Sequence, residues 1–301
     1  MRSSGSVVAL VVFAVTASIL RLRLAVSSAF ALRSSEGMAG LRRAAALLEE
    51  SPALRSCPTV RPRVLELLER WHNLWWNDTR AMLVPQRWYK EVEECAQPLE
   101  WVLSSLDQRP AAVVDVGAGK GIFSMLLSHL APPDSLHQLL LLDDRFLPTS
   151  AVVRRRGVID AKSLRLANET SLVPLELWQA NAFDRAVADR CANLAGQHGR
   201  LVFVGIHLCD FLALRTVELF NRAGHELILA PCCVPGKGNS VWRSGLADGF
   251  QICGDDIQSA PFPQSRWTRS LLQAMEGSRS RVRVPMSHSL RPKNMFLRSL
   301  K

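Results

Sequence analysis

The sequence predicts an α/β fold, a parallel sheet with helices packed on its faces, preceded by a helical segment rich in tryptophan. Two observations predict it. Short apolar runs recur at 111–114, 139–142, 175–180, 201–206 and 227–230, each of strand length, with helical patterning or turn residues between them. The first run leads into Asp115-Val116-Gly117-Ala118-Gly119-Lys120-Gly121, and the pattern Ile122-Phe123-Ser124-Met125-Leu126-Leu127 follows before the break at Pro132-Pro133. A strand, a glycine turn and a helix in that order bring a backbone close to a nucleotide-like ligand.

Residues 1–44 read as a targeting leader. Val7 to Leu20 is a 14-residue apolar run behind Arg2, shorter than the ~20 residues of a membrane span and of the length of a signal-peptide core. The stretch Ser27-Ser28-Ala29-Phe30-Ala31, followed by Arg33-Ser34-Ser35, resembles the cleavage region of the bipartite leaders that direct proteins to complex plastids. Arg21 and Arg23 keep a mitochondrial leader or the secretory route open. No stable membrane association is expected once the leader is removed. Residues 45–104 read as a helical cap: Val64, Leu65, Leu67, Leu68 and Trp71 recur at helical steps, and five of eight tryptophans (71, 75, 76, 88, 101) fall within it. Packing is one use for them; stacking on RNA bases beside His72, Arg87 and Lys90 is another. Residues 105–301 form the α/β domain.

Within that domain the glycine loop narrows the ligand. Dinucleotide sites use G-x-G-x-x-G, whereas this loop is G-x-G-x-G with an acid two residues before it. The pattern resembles motif I of class I S-adenosylmethionine-dependent methyltransferases. The resemblance implies a Rossmann-like, seven-stranded methyltransferase sandwich. It also implies that Asp115, Gly117, Gly119, Lys120 and Gly121 hold the methionine end of the S-adenosylmethionine cofactor. The second run ends in Asp143 and Asp144, either of which would take the ribose hydroxyls, with Asp144 slightly preferred. After the third run, Asn181 or Asp184 would lie against the adenine. The fourth run leads to His207-Leu208-Cys209-Asp210 and the fifth to Pro231-Cys232-Cys233; in a parallel sheet both open onto the glycine loop's crevice.

Four segments in series extend the likeness: D-V-G-A-G-K-G, G-I-H-L-C-D-F-L-A-L-R-T-V-E-L-F-N, A-P-C-C-V-P-G-K and R-P-K-N-M-F-L. They resemble the methyltransferase domain shared by the Trm-thirteen-type tRNA 2′-O-methyltransferases, the methyltransferase-like-twenty-five group and the glutathione S-transferase C-terminal-domain-containing protein. Asp210 stands where that family usually has glycine and adds a carboxylate to the pocket. The resemblance implies RNA, tRNA included, as the methyl acceptor. His207 and Asp210 are the expected catalytic pocket residues, with His207, Asp210 or Lys120 able to help deprotonate a ribose hydroxyl. Cys232 after Pro231 is a candidate nucleophile toward a pyrimidine ring. His207, Cys209, Cys232 and Cys233 have ligand types that suit zinc, but burial as small apolar residues is the more ordinary use of such cysteines and no metal is expected. The competing reading keeps the fold as a non-catalytic RNA- or partner-binding protein, or turns it on a protein or small molecule.

Composition agrees with a globular chain. Hydrophobic content of 48% excludes disorder, and seven irregularly spaced cysteines without a C-x-x-C pair exclude a disulfide framework. The net charge of +10 is uneven. Residues 1–44 carry six arginines against Glu36, and residues 266–301 carry nine basic residues against Glu276, which leaves the body between them mildly acidic. A basic C-terminal segment on an acidic body is suited to RNA phosphates, where Lys and Arg displace condensed counterions.

Overall fold

In the computed structural model of this chain the described residues are 46–75, 85–119, 121–132, 134–144, 173, 175–236, 242–243, 251–284 and 295–301. The expected leader, Lys120 and the stretch around Trp76 lie outside them, and the side chains of Trp71, Trp75 and Trp88 are likewise not described. Among the described residues no helix is long and apolar enough to cross a membrane.

Alternating burial builds the sheet. In β1 (Ala111–Val116) every residue is buried, with Val113 in the core on one face and Val114 in the core on the other, as the two-residue period of a central strand requires. Beside it run β2 (Leu136–Asp143), β3 (Leu175–Gln179), β4 (Leu201–Leu208) and β5 (Glu226–Pro231), all parallel. A separate ribbon pairs β6 (Trp242–Arg243) with β7 (Gln251–Ile252). Two further strands, β8 (Ser278–Arg283) and β9 (Met295–Leu300), complete the main sheet at seven in the order β3-β2-β1-β4-β5-β9-β8, with β9 antiparallel to both β5 and β8. This is a Rossmann-like α/β sandwich, a seven-stranded sheet of the kind the sequence predicts.

Helices α1 (Pro52–Arg55), α2 (Val60–Trp75), α3 (Pro85–Gln108) and α4 (Ile122–Leu130) cover one face. On the other lie α5 (Arg185–His198), α6 (Leu212–Ala223), α7 (Gly254–Gln258) and α8 (Pro263–Ala274). The N-terminal helices share one core with the sheet: Leu54, Val64, Val92 and Leu99 pack in the same cluster as Val113 and Leu139. Their ends are tied by acids of α3. Glu100 accepts from the N–H groups of Thr59 and Val60, 3.1 and 3.0 Å away, at the start of α2. Ser51 caps α1 and donates to Glu93 at 2.7 Å.

Strand β4 runs two residues further than its apolar run. Leu208 pairs with Pro231 across a register shift after Ile206, which leaves His207 as the bulged residue.

At the opposite end of the sheet a fully buried Glu226 opens β5 between two arginines. Its Oε2 is 2.8 Å from Arg200 Nη2 at the start of β4, and its Oε1 is 2.7 Å from Arg298 Nη2 of β9. Ser105 of α3 also donates to Glu226, and Arg200 donates to the Ser105 and Arg109 carbonyls. Removing one member of such a group strands buried charge. Glu226→Ala is therefore expected to cost about 3–5 kcal/mol in urea unfolding; a cost below about 1 kcal/mol would contradict the hub.

Candidate active site

The glycine loop is the first half of the site. Gly117, Gly119 and Gly121 all have positive φ (66°, 56° and 74°), the left-handed region that β-carbons disfavour. At Gly117 space forbids a side chain as well, since a β-carbon would lie 2.9 Å from Leu208 and 3.2 Å from Leu212. That closeness seats the loop directly against the turn leaving β4. The loop is held from below by Gly117 N–H donating to the Leu142 carbonyl at 2.8 Å, and from the side by Gly119 N–H donating to Asp143 Oδ2 at 2.8 Å.

Two carboxylates flank this loop. Asp115, 3% exposed, accepts from Ser124 Oγ of α4 at 2.8 Å. Burial pushes its carboxyl up to about 7; the Ser124 hydrogen bond opposes the rise, and the neighbouring Asp143 charge adds to it. Asp143, at the end of β2, faces the loop through Gly119, while Asp144 follows it in an exposed turn. Position in the chain slightly favours Asp144, whereas the bond to the loop belongs to Asp143. Asn181 and Asp184 sit in the turn after β3, beside β2. Asn181 Oδ1 accepts from Phe183 N–H at 3.0 Å, and Asp184 is the N-cap residue of α5. Both are exposed at the same end of the sheet as Asp143.

The second half stands on the ends of β4 and β5. His207 and Asp210 have φ of 62° and 54°, a backbone that costs of order 1 kcal/mol for residues with a β-carbon and gathers at functional sites. His207 Nε2 lies 2.7 Å from Glu94 Oε2, a carboxylate of α3 that is only 6% exposed, and Lys90 stands 3.6 Å from the same group's Oε1. His207 Nδ1 is buried and has no hydrogen-bond partner among the described residues. Glu94 is a site residue that no sequence motif marked; the only signal was a pair of acids, Glu93-Glu94, on a helix with an apolar face.

Cys209, Cys232 and Cys233 meet here as well. Their sulfurs are 3.0 Å (209–232), 3.2 Å (209–233) and 3.3 Å (232–233) apart, and Cys232 donates to the His207 carbonyl at 3.2 Å. Burial, followed by the hydrogen bonds to the neighbouring thiols, pushes the Cys232 thiol well above its ordinary range.

No family model and no curated protein matches the sequence. Among solved structures, the chain is similar to the small RNA methyltransferase HEN1 (13% identity, TM-score 0.39), over 67% of this chain and 25% of that one. It is similar to the methyltransferase domain of bacterial CtHen1 (14%, TM-score 0.40), over 68% and 98% of the two chains. A third is the 1,6-didemethyltoxoflavin-N1-methyltransferase of Burkholderia thailandensis, at 13% identity and TM-score 0.35, over 69% and 78%. The match thus spans a quarter of the length of HEN1.

The raised Asp115 carboxyl has a measurable sign. From about pH 4 to about 7 the folded chain holds a proton that the unfolded chain has lost, so stability falls as pH rises through this window and levels above it. Asp115→Asn removes the titration. Its urea midpoint is expected to match wild type near pH 4 and to exceed it near pH 8, with up to about 4 kcal/mol available. Equal pH slopes in the two proteins would contradict the buried carboxyl.

Proposed function

We propose that this protein is an S-adenosylmethionine-dependent methyltransferase acting on RNA, within a plastid. The observation that carries the donor is the pair of carboxylates, Asp115 and Asp143, bracketing three left-handed glycines at the end of β1. The loop backbone and Asp115 suit the cationic methionine end of the donor. Asp143 suits the ribose hydroxyls, and the Asn181–Asp184 turn suits the adenine. A donor cation beside Asp115 draws its carboxyl back toward the anion, because an adjacent positive charge favours the charged form. Donor affinity is therefore expected to rise with pH up to about 7 and then to level.

The acceptor side is the His207–Asp210 turn, which abuts the glycine loop through Leu208. Glu94 fixes the orientation of the His207 ring from below, so the two form one unit toward the acceptor. The finer likeness to tRNA 2′-O-methyltransferases supports a hydroxyl acceptor in RNA, which needs donor and nucleophile in line.

Support for RNA comes from β8. All six of its residues are exposed, and Arg279, Arg281 and Arg283 alternate along it onto one face. Through β9, Arg281 is level with Leu229 of β5, so Arg283 stands two strands away at the level of that strand's C-terminal end. The row of guanidinium groups thus climbs toward the crevice. Residues 1–44 support delivery to the organelle.

The test incubates the purified full-length protein with methyl-labelled S-adenosylmethionine and organelle RNA. Label is expected in RNA, abolished in Asp115→Ala and reduced about 10²-fold or more in His207→Ala. Label in protein or small molecules instead would replace the acceptor. Donor binding without transfer would favour the binding-protein reading, and no donor binding would sink the proposal. Replacing Arg279, Arg281 and Arg283 with Glu should weaken RNA binding and flatten its logarithmic salt dependence by ~0.7 for each phosphate no longer neutralised. An unchanged slope would move the RNA surface elsewhere.

A further inference from the structure

We propose that Cys209, Cys232 and Cys233 form a three-thiolate site for a zinc ion, with its fourth position open on the crevice side. The ligands come from two strand ends, Cys209 after β4 and the Cys232-Cys233 pair after β5, and their three sulfurs lie within 4.8 Å of one another. Adjacent residues of a strand point to opposite faces. Here the chain has left β5 at Pro231, and both thiols turn to the side where Cys209 stands. Packing alone does not need this, because small apolar residues at 209 and 233 would sit in solvent: both cysteines are exposed and only Cys232 is buried.

The donor set selects the metal. Three soft sulfur ligands favour zinc or a similarly thiophilic ion over magnesium or calcium. A tetrahedral ion with zinc–sulfur bonds of ~2.3 Å holds its sulfurs about 3.8 Å apart, so the observed triangle opens by roughly half an ångström or slightly more on loading. Loading removes the thiol protons and with them the hydrogen bonds to the His207 carbonyl. His207 does not supply the fourth ligand from Nε2, which Glu94 holds. Structural zinc sites close with four protein ligands; three leave a place for water or for a substrate atom. The exposed sulfurs of Cys209 and Cys233 give the ion its route in from solvent. The site goes beyond the methyltransferase reading and stands or falls separately from it.

The experiment loads the reduced full-length protein with zinc, removes excess ion, and measures metal content beside binding of S-adenosylmethionine. Cobalt(II) replaces zinc in a parallel sample, read by its sulfur-to-metal charge-transfer absorption. Wild type is expected to keep about one zinc per chain and to show the thiolate band, with occupancy down tenfold or more in Cys209→Ser, Cys232→Ser and Cys233→Ser. The cobalt spectrum of wild type answers even where a variant does not fold, and Cys253→Ser, outside the cluster, serves as the control that keeps its metal. Wild type that retains no zinc and gives no thiolate band overturns the site. Zinc retained in the folded triple-serine variant overturns it too. Loss of donor binding with zinc intact would count against the methyltransferase reading and leave the metal site standing.

Discussion

Glu226 is the constraint on which the sheet depends. It is a carboxylate with no access to water, and two arginines from strands on either side of β5 must reach it for the core to close. That requirement decides which strand lies next to β5. Only a strand with an arginine near its C-terminal end, entering antiparallel, delivers a guanidinium to the bottom of β5, and β9 does so with Arg298. The same carboxylate accepts from Ser105, so the helical cap is pinned to the sheet through α3. Since α3 also presents the buried Glu94 to His207, the charge cluster at one end and the site at the other share a rigid helix.

At the crevice the common theme is backbone in the left-handed region. Three glycines reach it without penalty, whereas His207 and Asp210 reach it against the interest of their β-carbons. The surroundings must hold them there: the bulge in β4, the Glu94 bond and the Leu208 side chain under Gly117. Burial also sets both the Asp115 carboxyl and the Cys232 thiol toward their protonated forms.

Much of this is legible from residues. The five parallel strands, the glycine loop and the gathering of His207 with the cysteines follow from apolar runs and from the rule that parallel strands open at one end. The hidden parts have physical reasons. Glu94 lies 113 residues from His207, and no local pattern reports a contact across that separation. Helix α3 contains Pro98, a residue that ordinarily argues against a helix interior, and tertiary packing overrides it. Ranking Asp143 against Asp144 needs the direction of a side chain at a strand end, which two adjacent acids do not disclose. The C-terminal strands β8 and β9 are hard to read as sheet because arginine and serine, not β-branched residues, dominate β8.

Strand β8 ends the sheet, and its outer backbone groups have no neighbouring strand among the described residues. Such a rim invites a second chain to add itself. Two copies aligned antiparallel about Arg281 would set that residue against itself and Arg279 against Arg283, three like-charged pairs face to face. The arginine row therefore opposes the pairing of two copies through this edge.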